Sequence, residues 1–307
     1  MTRIELTGLD GSNPLAFFAA LGVLTAVETA EASSPARPTL RWVLEGVWRP
    51  VLESTVPDVT ALVELLDRDR QRAASDPALR FSYTDGSKSV PDVKPSPDEL
   101  RRTLTAWVAD AAPFERATLD WFTGFIGEGA TDNNGRGKPS ALHFTAGQQK
   151  FLKAACDLAD GVKPEHLEEA LVGPWSYSST LPVMGWDNTE TRDYALRARN
   201  PSTDKKQGNP GADWLALRGL TCLPNVGVRG TQLTTGYQGS WKNGTFAWPL
   251  WDRPAHLDIV RSLLATRGLR ELTPAKRARR GVVQVFQVRV LRSDQGGYGS
   301  VTAAAVV

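Results

Sequence analysis

Asn13-Pro14-Leu15-Ala16-Phe17-Phe18-Ala19-Ala20-Leu21-Gly22-Val23-Leu24 is the stretch on which the fold turns. The Asn13 side chain can accept from the open amides of a first helical turn, and Pro14 suits the next position, where no amide hydrogen is needed. From Leu15 onward the segment is small and apolar on every side, with no charge before Glu28. A helix apolar all round is buried all round, so 14–27 is predicted as an internal helix on which other layers close.

On either side of that helix the pattern is mixed. Residues 4–6 read as a short strand. The alternation over 40–52 breaks at Glu45-Gly46 and predicts a β-hairpin with Trp42 and Trp48 flanking the turn. Val59, Leu62, Val63, Leu65 and Leu66 recur at helical spacing. Residues 80–84 suggest another strand. Ser96-Pro97-Asp98-Glu99 is a capping box ahead of a helix, and 117–126 continues as a further helical piece. Residues 127–140, rich in Gly, Asn, Asp, Arg and Lys, interrupt the pattern and mark a functional loop or a boundary. Helices are predicted over 148–158, 164–172, 212–220 and 254–266, β-structure over 241–251, and an alternating strand over 282–291. No internal repeat is evident. The fold class expected is α+β, with a helical N-terminal part and mixed β-sheet in the second half.

The chain has 307 residues, 41% hydrophobic and 23% charged, which is ordinary for a globular protein with a sizeable core. No apolar run reaches the roughly 18 residues of a membrane span, and the N-terminus lacks a basic leader, so a cytoplasmic protein is expected. Two cysteines, Cys156 and Cys222, make no disulfide framework and fit a reducing compartment. Net charge is only +2, but residues 1–130 hold 13 Lys/Arg against 19 Asp/Glu, and 131–307 hold 23 against 15. An acidic α/β module over 1–130 and a basic α+β module over 131–307 are therefore expected. The second would suit a polyanion.

Catalytic signatures are sparse. Cys156 and Cys222 sit in apolar helical contexts and read as packed small hydrophobes. His143 has no adjacent carboxylate, and the three histidines share no metal-ligand spacing. There is no strand-turn-helix serine elbow, no Walker loop and no H-E-x-x-H. Asp187, Glu190 and Asp193 form an acidic group that with His143 allows a metal-dependent nuclease as an alternative, although Arg192 and Arg197 favour ion pairing. A non-enzyme without cofactor is the expectation.

Nucleic-acid chemistry is better represented. Asp132-Asn133-Asn134-Gly135-Arg136-Gly137-Lys138 offers two amides and two cations on a glycine-flexible backbone. Asn can face an adenine edge, and Arg or Lys a guanine or a phosphate. Arg197, Arg199, Lys205, Lys206 and Asn209 form a second polar group suited to phosphates. Arg229 and Gln232 form a third, and Lys276, Arg277, Arg279 and Arg280 the densest basic run. The ten tryptophans are equally available to stack bases or to fill the core, and their apolar settings favour the core.

The Asn13–Leu24 string resembles the opening of subtype-specific subunits of type I-G (formerly I-U) CRISPR effector complexes, which begin with a strand, a polar turn and an N-P-x-x-F-x-A-x-x-G-x-L helix. Gly211-Ala212-Asp213-Trp214-Leu215-Ala216-Leu217-Arg218-Gly219-Leu220, after the Asp- and Arg-rich stretch from Trp186 to Arg199, resembles a mid-chain segment of the same proteins. The large subunits of that group are considerably longer, so the resemblance extends to a compact large subunit or an accessory one. It implies a non-catalytic part of a Cascade-like surveillance complex with crRNA, target double-stranded DNA, backbone and crRNA-end subunits and a recruited helicase-nuclease as partners. In such complexes protein reads the short PAM while base pairing reads the rest. The 133–138 loop becomes the PAM-side candidate on its own chemistry. A scaffold subunit without target-DNA readout is the further alternative.

Overall fold

The structure is a computed structural model that describes residues 1–110, 116–145, 149–189, 207–292 and 299–307. In chain order, β1 (Thr2–Glu5) leads into α1 (Pro14–Ala30), followed by the hairpin β2 (Thr39–Glu45) and β3 (Val47–Ser54). Gly46, with φ of 74°, makes the tight turn where Glu45-Gly46 predicted it. β3 lies between β1 and β2 in an antiparallel sheet. Then come α2 (Val59–Ala73), the hairpin β4 (Tyr83–Asp85) and β5 (Lys88–Val90), α3 (Pro97–Asp110) and α4 (Ala117–Phe125). β6 (Ile126–Thr131) and β7 (Gly137–Pro139) pair next, followed by α5 (Phe151–Gly161) and α6 (Pro164–Val172). α7 (Pro210–Gly219) runs into a 3-10 turn, Leu220–Cys222. The hairpin β8 (Asn225–Val228) and β9 (Thr231–Thr234) precedes β10 (Tyr237–Gly239), β11 (Asn243–Trp251), α8 (Leu257–Leu264) and α9 (Pro274–Ala278). β12 (Val282–Arg292), β13 (Gly299–Val301) and β14 (Ala305–Val306) close the described chain, and β10-β11-β12-β13 form the second main sheet with β14 also on β12. The fold is α+β.

The first helix is buried from Pro14 to Val27, as its uniform apolarity requires. Phe17 stacks on Trp42 of β2 at 6.0 Å and meets Trp248 of β11 at 5.9 Å. Phe18 faces Phe246 at 5.1 Å and Trp186 edge-on at 5.9 Å. α1 is thus enclosed by both main sheets. Indole hydrogen bonds tie the sheets together, with Trp248 Nε1 donating to Gly11 O at 2.9 Å and Trp251 Nε1 to Leu40 O at 2.6 Å.

Along its length α1 packs against α7, and the two run the same way. Gly22 lies against Leu215 O and Gly219 N, Gly219 lies against Phe18 O, and one turn on Thr25 Oγ1 meets Cys222 Sγ at 3.3 Å. Both helices open with Asn-Pro. Asn13 Oδ1 accepts from Leu15 N at 2.9 Å, and Asn209 Oδ1 accepts from Ala212 N at 2.8 Å. The far end of α7 is held by Arg218, which donates to Asp69 of α2 at 3.1 Å with both side chains buried, its guanidinium 5.2 Å over Trp121.

The contrast in charge between halves does not separate two packed bodies. A boundary after residue 130 would cut β6, and buried residues from both sides belong to one hydrophobic cluster. The 127–140 stretch, expected as a loop, contains β6 and β7. Its glycines have separate causes: a Cβ on Gly127 would sit 2.8 Å from the Gln232 side chain and one on Gly137 2.8 Å from that of Ile126, while Gly129 and Gly135 hold φ of 87° and 70°. On the facing strand β8, a Cβ on Gly227 would sit 2.0 Å from Glu128 O. Glycine reads as a breaker in a sequence, yet it also marks close backbone approach within sheets.

Candidate nucleic-acid interface

The tip of the β6–β7 hairpin is built around Asp132. Its Oδ1 accepts from Asn134 N at 2.8 Å and Arg136 N at 3.0 Å, while Asp132 N donates to Arg136 O at 2.8 Å. This is an Asx-type turn, and it closes with Gly135 at φ of 70°. Asn133 and Asn134 are exposed at its apex. Arg136 is held from the side: its Nη2 donates to Asp85 Oδ1 at 2.6 Å and its guanidinium lies 5.0 Å over Tyr83. Lys138, partly exposed, lies on β7 below the tip. The arrangement fixes the backbone beneath two exposed amides, with one cation anchored beside them. Asp85 and Tyr83 escaped the sequence reading, although Asp85-Gly86 is itself a hairpin-turn signal.

The other predicted groups fare differently. Arg197, Arg199, Lys205 and Lys206 lie outside the described residues, as do Glu190 and Asp193. Asn209 is fully buried. Besides capping α7, its amide donates to Glu169 Oε1 at 3.2 Å, so it presents nothing at the surface. Arg229 is exposed in the turn between β8 and β9 with φ of 49°. The Gln232 amide points inward against Gly127 rather than outward, and both of its polar atoms are buried without a hydrogen-bond partner. Gln232 is therefore no surface reader either.

The basic run divides in two. Thr273 caps α9 by accepting from Lys276 N. Lys276 on α9, and Arg279 and Arg280 just beyond it, are exposed. Arg277 turns inward, donating from Nη2 to Arg270 O at 2.6 Å and from Nη1 to Val307 O. Its donors serve the fold, and Lys276, Arg279 and Arg280 are left at the surface.

Of the residues weighed for catalysis, Asp187, His143, Cys156 and Cys222 lie among the described residues. The Asp187 carboxylate is buried and accepts from Asn13 Nδ2 at 2.9 Å, Tyr177 Oη at 3.0 Å, Thr189 N at 2.9 Å and Thr189 Oγ1 at 2.8 Å. His143 is buried, with Nε2 at 3.4 Å from Asp92 Oδ1 and 3.3 Å from Thr145 Oγ1, and its ring stacks on Phe151. Burial holds the imidazole below its usual value, and Asp92 only partly offsets this. Burial alone would raise the Asp92 carboxyl, but His143, the Val93 amide and Lys94 outweigh it and leave it below the usual range. Burial raises both cysteine thiols, Cys222 beside Thr25 and Cys156 against Leu79 O. Among the described residues no three His, Cys, Asp or Glu side chains are grouped to hold a metal ion.

No helix among the described residues is long and apolar enough to cross a membrane. No protein-family model matches the chain, and neither does any curated protein or solved structure.

Proposed function

We propose that this chain is a non-catalytic nucleic-acid-binding subunit of a type I RNA-guided surveillance complex, contacting target double-stranded DNA and reading a short flanking motif. The observation that carries the reading is the β6–β7 tip. There Asn133 and Asn134 stand free on a turn locked by Asp132, while Arg136 is fixed on Asp85 and Tyr83. Amides that present a donor and an acceptor together suit base edges, and cations alongside suit guanine or phosphate. The exposed cations on and just after α9, Lys276, Arg279 and Arg280, supply a backbone grip. The likeness of the Asn13–Leu24 helix to type I-G subunits supplies the context. In that context crRNA, backbone and crRNA-end subunits and a recruited helicase-nuclease are the partners, in a cytoplasmic assembly that needs no cofactor of its own.

The test is selection of duplexes with a randomised flank beside a fixed target, by the chain alone and with its co-expressed operon partners. Enrichment of a short motif, lost when Asn133 and Asn134 are both changed to Ala, is the expected result. Salt-sensitive binding indifferent to the flank would reduce the protein to a clamp or scaffold. Absence of binding in both settings, or divalent-dependent cleavage by the chain, would overturn the reading.

A further inference from the structure

Nine of the ten tryptophans are accounted for by the hydrophobic core: Trp42, Trp121, Trp186, Trp214, Trp248 and Trp251 are buried in it, and Trp48, Trp107 and Trp175 pack against it. Trp241 is the exception. It sits partly exposed in the connection between β10 and β11, and it belongs to no part of that core. A large aromatic ring at a surface turn forgoes the burial that usually explains it.

The ring is nevertheless held firmly. The turn is pinned by Tyr237 Oη donating to Ser240 O at 2.8 Å and Asn243 N donating to Ser240 Oγ at 3.2 Å. The Arg292 guanidinium lies 3.7 Å from the indole centroid. Arg292 is itself clamped by three carbonyls: Nε donates to Trp241 O at 2.9 Å, Nη1 to His143 O at 2.9 Å and Nη2 to Ala141 O at 2.7 Å. Phe144 lies 5.2 Å away across the same guanidinium. Burial pushes the arginine down to about 10, still charged at neutral pH. Lys242 and Asn243 are exposed beside the indole.

We infer that Trp241 is a stacking platform for an unpaired nucleobase. The inference rests on the nucleic-acid reading above. A rigid aromatic loses little conformational freedom on binding, and every base offers a π-face, so such a ring binds single strands with little sequence preference. The guanidinium behind it and the lysine beside it favour a polyanionic strand over an apolar protein surface. The platform is also tied to the segment that follows the β6–β7 hairpin, because Arg292 holds the carbonyl of Ala141, three residues beyond Lys138, and Ala141 N in turn donates to Thr234 Oγ1 of β9 at 2.8 Å.

The experiment compares the full-length protein with Trp241→Phe and Trp241→Ala. It measures affinity for oligothymidylate and for a blunt duplex over a range of salt, together with tryptophan emission. Trp241→Ala is expected to weaken single-strand binding roughly tenfold without changing the salt slope, since stacking releases no counterions. Trp241→Phe should retain most of the affinity but lose the part of the emission quenched by oligothymidylate in the parent protein. Duplex binding should be unaffected by either change. Parent-level single-strand affinity in Trp241→Ala, or the same quenching in Trp241→Phe, overturns the platform and leaves the nucleic-acid reading standing. Should Trp241→Ala not fold, the quenching comparison in Trp241→Phe decides alone. If the parent protein binds neither oligothymidylate nor duplex, alone or with its partners, both inferences fall together.

Discussion

Gly22 and Gly219 each lie beneath a backbone carbonyl of the other's helix. A Cβ on Gly22 would sit 1.9 Å from Leu215 O, and one on Gly219 would sit 2.0 Å from Phe18 O. The obstacle in both cases is helical backbone, which cannot rotate aside as a side chain would. Either Gly→Ala change should force α1 and α7 apart and destabilise the protein by about 3 kcal/mol, at the upper end of overpacking costs. Urea unfolding measures it. A loss below about 1 kcal/mol would mean that the helices are less closely engaged than this contact requires.

Asn13 does two things at once, since its oxygen caps α1 and its amide nitrogen donates to the buried Asp187 carboxylate. The variants separate these roles. Asn13→Ser keeps a cap and removes the donor, which should cost about 1–2 kcal/mol. Asn13→Asp also keeps the cap but sets a second carboxylate against Asp187, so it should be the more damaging change despite its similar shape. Thermal unfolding of the two near neutral pH gives the order, and a more stable Asn13→Asp would contradict the contact.

Burial of His143 sets an acid limit on stability, which its pairing with Asp92 only partly offsets. An imidazole held below its ordinary 6.5 takes up its proton more readily in the unfolded chain. Its contribution is therefore fully present above 6.5 and declines as the pH falls from there towards the lowered folded value. Asp92, also lowered, adds a second loss beginning below its ordinary 3.8. The midpoint of thermal unfolding should fall as the pH is taken below 6.5, and His143→Gln should flatten that segment of the curve. An unchanged slope in the variant would remove His143 as the source.

Within the basic run, Arg277 and its neighbours should separate in kind. Arg277→Ala removes the donors to Arg270 O and Val307 O and should lower thermal stability, with a cost on the order of 1–3 kcal/mol. Changing Lys276, Arg279 and Arg280 to Glu should leave stability within about 0.5 kcal/mol. The same triple change should weaken DNA binding for every sequence and reduce the dependence on salt. An unaltered salt slope would place α9 away from the DNA.

Breaking the buried pair of Arg218 and Asp69 should be among the costliest single changes. Asp69→Ala leaves a guanidinium buried without its carboxylate, and losses of about 3–5 kcal/mol are typical when one partner is removed. Arg218 also donates to Thr29 Oγ1 at 3.1 Å, so part of its hydrogen bonding survives. Denaturant unfolding of Asp69→Ala and of a double Asp69→Ala, Arg218→Met variant would show the double change to be the milder.

The central helix was legible because uniform apolarity admits only an internal position, and its Asn-Pro start is a specific cap. The same dipeptide at Asn209-Pro210 carried the same message, but the nearby Lys205 and Lys206 drew it into a surface reading. Cap chemistry was the better guide. The β6–β7 hairpin was illegible for the opposite reason: Gly127, Gly129, Gly135 and Gly137 look like interruptions until it is known that Gly127 lies against Gln232 and Asn225 and that Gly129 and Gly135 turn the backbone at positive φ. Arg277 shows a further limit, since a run of cations does not reveal which one faces a carbonyl cluster. Of the proposed site, the chemistry of Asn133 and Asn134 could be read from the sequence, while the rigidity imposed through Asp85 and Tyr83 could not.

The pairing of α1 with α7 also bears on how the protein is made. At synthesis rates of roughly 5–20 residues per second, the approximately 200 residues between Gly22 and Gly219 delay the cover for α1 by roughly 10–40 s. During that interval Phe17 can meet Trp42 of β2, but α7 and β11, which cover the rest of the helix, have not left the ribosome. The architecture that makes the finished core continuous therefore makes the growing chain its most aggregation-prone form.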